Sequence, residues 1–92
     1  MSESPADVFV VTLEAVEPGA AGPLTVLAFV RAADETAAER DAAVELARCG
    51  FVSSQALRTA HVIDAAALPE DFRSAMATAL RYGCGLIIYD EP

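Results

Sequence analysis

Phe51-Val52-Ser53-Ser54-Gln55-Ala56-Leu57-Arg58-Thr59-Ala60-His61-Val62-Ile63-Asp64 is the stretch that decides how this chain folds. Its apolar residues, Val52, Ala56, Leu57, Val62 and Ile63, show no clean alternation, and neither Gly nor Pro interrupts it. Without a turn residue to split it, the stretch reads as one long, bent strand; a break near Arg58-Thr59 into two short strands is the alternative. One strand here gives the chain four strands and two helices.

The neighbours on either side are easier to read. Upstream, Thr36 and Glu39 have capping-box spacing, with Asp34 a second candidate cap, and Ala38, Ala42, Leu46 and Cys49 recur at helical intervals up to Gly50. That helix buries an alanine stripe and turns Arg40, Asp41, Glu45 and Arg48 to solvent. Downstream, Pro69 suits the first helical position and Glu70 and Asp71 complement the positive end of the helix dipole. Phe72, Ala75, Met76, Ala79 and Leu80 then form one face, and Gly83 ends the helix with a left-handed residue.

The two ends supply the remaining strands. Asp7 to Ala15 holds the β-branched and aromatic run Val8, Phe9, Val10, Val11, Thr12, Leu13. Glu17 to Pro23 has two Pro and two Gly, a turn signal, and leads into a second strand from Leu24 to Ala32. Leu24, Val26, Ala28 and Val30 lie on one face of that strand and Leu27 and Phe29 on the other, so it should be central. Cys84 to Tyr89 is a buried last strand. The order is ββαβαβ, a four-stranded sheet with two helices on one face in a two-layer α+β sandwich. Residues 1–6 are a loose tail and residues 7–92 a single domain.

Leu68-Pro69-Glu70-Asp71-Phe72 and Gly83-Cys84-Gly85-Leu86-Ile87-Ile88-Tyr89 are the motifs that carry a resemblance. Over residues 24–90 the chain is similar to ferredoxin-like α+β sandwiches, and more loosely to small bacterial proteins that have no assigned function. The resemblance implies a fold; its motifs are structural punctuation and bring no activity with them. The usual ferredoxin-like order, βαββαβ, differs from the order read here.

Composition narrows the function classes. The 92 residues carry a net charge of −8, which repels phosphate backbones and excludes nucleic acid as a partner. A hydrophobic fraction of 54% excludes disorder, and the apolar runs are too short to span a membrane. The opening residues lack the basic start of a secretory signal, which together with only two cysteines points to the cytoplasm and to reduced thiols.

Chemistry-bearing residues are few. His61 is the single histidine, and Arg58 lies an odd number of positions from it, so the two point to opposite faces of an unbroken strand. His61 and Tyr89 are the weak catalytic candidates of a small cofactor-free enzyme. Cys49 and Cys84 lack zinc-ligand spacing, the Gly19 and Gly22 loop lacks phosphate-loop spacing, and Asp64, Asp90 and Glu91 read as solvated ends. No cofactor and no metal are expected.

With both helices on one face, the second face of an apolar sheet needs another cover. Phe9, Val11, Leu13, Leu27 and Phe29 are the expected interface, closed by a second copy across a two-fold axis or by another protein. The leading reading is a homo-oligomeric binding module without catalysis. The alternatives are the small enzyme, with a cavity in the sheet face, and an acidic inhibitor or immunity-type protein that neutralises a basic partner.

Overall fold

The turn around Pro18 and Gly19 closes a hairpin of two long strands, and the rest of the molecule is built on it. The structure, a computed structural model, describes residues 7–19, 21–63 and 67–89. The tail expected at residues 1–6 and the acidic residues Asp64, Asp90 and Glu91 lie outside them. β1 (Val8–Val16) pairs antiparallel with β2 (Leu24–Arg31), Phe9 facing Val30 and Leu13 facing Val26. Gly19 takes a left-handed φ of 76° in the connecting turn, a conformation in which a Cβ would be strained.

The deciding stretch is one strand, β3 (Ser53–His61), antiparallel to β1. Its bend is a β-bulge. Ala56 faces Leu13 and Arg58 faces Thr12, so Leu57 is an extra residue without a partner of its own. The bulge explains why the apolar residues failed to alternate: it shifts the register by one position in the middle of the strand. β4 (Cys84–Tyr89) pairs antiparallel with the other side of β2 in an unbroken register. The sheet order is β3-β1-β2-β4, which makes the hairpin strands central and leaves β3 and β4 as its edges.

The helices fall close to where the pattern put them. α1 (Glu35–Arg48) is capped by Asp34, whose side chain accepts a hydrogen bond from the Ala37 N–H at 2.8 Å; Thr36 is not the cap. Ala38, Ala42 and Leu46 form its buried side, while Cys49, expected to continue that stripe, is exposed at the C-cap. Arg40 meets Asp41 and Arg48 meets Glu45 on the solvated side. α2 (Glu70–Tyr82) begins one residue later than expected, with Pro69 as its N-cap, and ends on Gly83 at φ 99°. Arg31, at the end of β2, donates from Nη1 to the Leu80 carbonyl at 2.7 Å and so satisfies one of the free carbonyls at the α2 terminus.

The fold is thus α+β with the element order ββαβαβ, as the sequence implies. The layering is different. The two helices pack on opposite faces of the sheet, where both were expected on one face of a two-layer ferredoxin-like sandwich. Phe9, Val11, Leu13, Val26, Ala28 and Val30 pack with Ala38, Ala42 and Leu46 of α1. On the other side Val8, Phe29, Ala75 and Ala79 form a second core, with Val10, Leu27, Phe72, Met76 and Ile87 against it. The reason is visible in β1 and β2, which are apolar on both faces and need a cover on each. One helix of 14 residues supplies about 21 Å of cover, and two helices divide the task.

Neither helix is centred. α1 leans over β3, β1 and β2, and α2 lies over β4 and β2 without reaching β3. α2 approaches the sheet tightly at Gly85, where a Cβ would stand 2.1 Å from the Ala75 carbonyl oxygen. Only glycine fits that position, which is why the β4 sequence has one in the middle of an apolar run.

Candidate functional site

Each candidate residue acquires a definite place once the two layers of helix are set. Phe9, Val11 and Leu13 are buried beneath α1, and Phe29 is buried beneath α2 with Leu27 partly buried beside it. The five residues expected to share an open sheet face therefore lie on two faces, each already covered from within the chain. The expectation fails because the β1–β2 register pairs odd-numbered residues of one strand with even-numbered residues of the other, Phe9 with Val30 and Leu13 with Val26, so Leu27 and Phe29 point to the opposite face from Phe9, Val11 and Leu13.

His61 ends β3 opposite Phe9, and its ring stacks on the Phe9 ring with centroids 5.0 Å apart and planes 27° apart. Its Nε2 lies 3.4 Å from Asp7 Oδ1, and both side chains are about half exposed. One strand position before, partly buried Thr59 donates from its hydroxyl to the Glu39 carboxylate, which ties the edge strand to α1. Arg58 faces Thr12 and so stands on the opposite side of the sheet from His61. Tyr89 is remote from all of these. It pairs with Thr25 at the far end of β4, on the other edge and at the other end of the sheet from His61. His61 and Tyr89 cannot act on one substrate.

The thiols are equally separate in character. Cys49 is exposed, whereas burial pushes the Cys84 thiol up to about 11, with the negative charge of Glu45 next in effect. Cys84 is therefore a thiol, not a thiolate, at neutral pH and a poor nucleophile. Among the described residues no buried side-chain nitrogen or oxygen lacks a partner, and no three His, Cys, Asp or Glu side chains gather as a metal set. Among the described residues no helix is long and apolar enough to cross a membrane.

The feature that stands out is the edge of β4, which no strand covers among the described residues. The Arg31 N–H donates to the Gly83 carbonyl, in the same register as the rest of the β2 and β4 pairing. By alternation Gly85, Ile87 and Tyr89 also turn their backbone groups toward β2, and Cys84, Leu86 and Ile88 turn theirs outward. These three outward positions are evenly spaced and uninterrupted. Their side chains lie on the α1 face, which α1 scarcely covers here, and Ile88 remains 45% exposed. The strand has no charge and no Pro, the usual protections of an edge.

The opposite edge differs. The Val62 N–H donates to the Val8 carbonyl, which turns Thr59 and His61 outward at that end; past the bulge the outward positions are Ser54 and Ala56. The outward pattern breaks in the middle of the strand. A sequence signal for the β4 edge was present in the uncharged run Cys84 to Tyr89, but it reads equally as a buried central strand until the sheet order is known.

No protein-family model, no curated protein and no solved structure matches the chain.

Proposed function

We propose that this protein is a non-catalytic, cytoplasmic interaction module that joins its partner by strand addition at the β4 edge. The observation that carries this reading is the unbroken apolar edge, with the backbone groups of Cys84, Leu86 and Ile88 directed away from β2. Main-chain hydrogen bonds supply the affinity in this mode of recognition, and the alternate side chains beside them supply selectivity. The two candidate catalytic residues sit at opposite corners of the sheet, and the free thiols suit a reducing compartment.

Residue-resolved amide exchange tests the proposal with two probes, raised protein concentration and a soluble extended peptide of alternating Val and Thr. Either probe should slow exchange at Cys84, Leu86 and Ile88 and leave Ser54, Ala56, Thr59 and His61 unchanged. If neither probe protects the β4 amides, the edge is not a docking surface.

A further inference from the structure

We infer that the strand completing this edge is β4 of a second copy of the chain, paired antiparallel across a two-fold axis normal to the sheet. The inference rests on the edge reading above and names its occupant. A two-fold through Leu86 sets Leu86 against the partner's Leu86 and Cys84 against the partner's Ile88. Every side chain so paired is apolar, and no like charges are brought opposite one another. The result is one continuous sheet of eight strands.

The offset of the helices makes room for this arrangement. An axis normal to the sheet keeps equivalent faces on the same side, so each α2 approaches its own copy. Since α2 lies over β2 and β4, the two α2 axes stand about two strand spacings apart, roughly 10 Å. That is the distance at which helices pack. α1 leans toward β3 and stays clear of its copy.

The flank of α2 above the open edge is self-complementary. The Thr78 Cβ borders Gly85 of β4 and marks that flank. Asp71, Ser74 and Arg81 share it at the i, i+3, i+7, i+10 spacing of a helix seam, and all four residues are exposed. Ser74 and Thr78 are small and central, which permits close approach. Asp71 lies at one end and Arg81 at the other, so the antiparallel copy sets each carboxylate toward the partner's Arg81. The net charge of −8 opposes association at long range, but physiological salt screens it beyond about 8 Å.

Light scattering on a size-exclusion column, from low to high micromolar protein, tests the inference, with circular dichroism verifying that each variant is folded. The wild type should run at twice 9.6 kDa. Ile88→Lys should abolish association, while Asp71→Arg and Arg81→Asp should each weaken it about tenfold or more and the double charge swap should restore it. The restoration is specific to a symmetric seam. A wild-type chain that stays at 9.6 kDa throughout would overturn the second copy, while peptide protection of the β4 amides would still uphold the edge. A dimer that ignores all three single substitutions and leaves those amides fast would overturn both.

Discussion

β3 and β4 are the two edges of one sheet, and they handle the same exposure in opposite ways. β3 has nine residues, most of them exposed, with a bulge at Leu57, an arginine and a histidine; β4 has six, uncharged, regular and held tightly by a helix. An edge strand offers unpaired backbone groups to any other strand, and proteins that must remain single-chained break or charge such edges. β3 has both protections and β4 has neither. The contrast teaches that one chain can protect one edge and leave the other open, and the recognition proposed at β4 rests on that difference.

The largest effect should come from the point where α2 clamps β4. Gly85→Ala places a methyl carbon against the Ala75 carbonyl, a backbone atom that cannot swing aside. The variant should lose about 3 kcal/mol or more, read as a lower urea midpoint, or fail to fold. The equivalent addition on the other edge, Ala60→Thr, adds to an exposed position and should stay within about 0.5 kcal/mol. If Gly85→Ala folds with unchanged stability, α2 does not sit tightly on β4, and the seam argued for its flank loses its geometry.

A smaller effect is expected where α1 holds β3. Thr59→Val removes the hydroxyl that donates to Glu39, part-buried between strand and helix, and so cuts this tie between β3 and α1. A loss of about 1 kcal/mol in denaturant unfolding is expected. Asp34→Ala removes the α1 cap and should lose a similar amount, about 1 kcal/mol. If the two losses add in the double variant, the cap and the β3 contact hold α1 independently; a smaller combined loss would show that β3 is held only as firmly as the start of α1.

These contrasts also show how much of the molecule was legible beforehand. The strands, the helices and the single strand at Ser53 to His61 were readable because caps, Gly83 and β-branched runs are local signals. Which face each helix covers is not local. It depends on the sheet order, and the alternating apolar residues of β1 and β2 fit one helix per face as well as they fit an unfilled second face. The candidate interface failed for that reason: Phe9 and Phe29 were correctly read as buried, but as buried by another chain. His61 was singled out as a lone histidine, yet Asp7 and Phe9, its actual contacts, lie more than fifty residues earlier in the sequence and could not be paired with it by spacing.

The bulge itself can be tested by deletion. Removing Leu57 joins Ala56 to Arg58 and restores a single register along β1, so the outward groups of β3 become evenly spaced. Placed in the Ile88→Lys background, where the β4 edge is blocked, the deletion should raise the solution mass above 9.6 kDa at high micromolar concentration. If the mass does not rise, charge and polarity alone protect β3, and the regularity of β4 is not what distinguishes it.

The smallest effect is chemical and separates the two thiols. Cys84 opens β4 partly buried, with its thiol raised to about 11, whereas Cys49 is exposed at the end of α1. Iodoacetamide at pH 8 should therefore modify Cys49 first, as followed by mass spectrometry of the peptides. Folding favours the protonated Cys84, so its contribution is unchanged below the unfolded value of 9.0 and falls as pH rises from there toward about 11. Stability should decline across that window, and Cys84→Ser should flatten the decline. Pairing of β4 with a second copy adds a further consequence: Cys84 becomes more deeply buried and its alkylation slows as protein concentration rises, while Cys49 reacts at a constant rate. Equal slowing of both would mean that the copies meet over α1 instead, and the distinction drawn between the two edges would have to be given up.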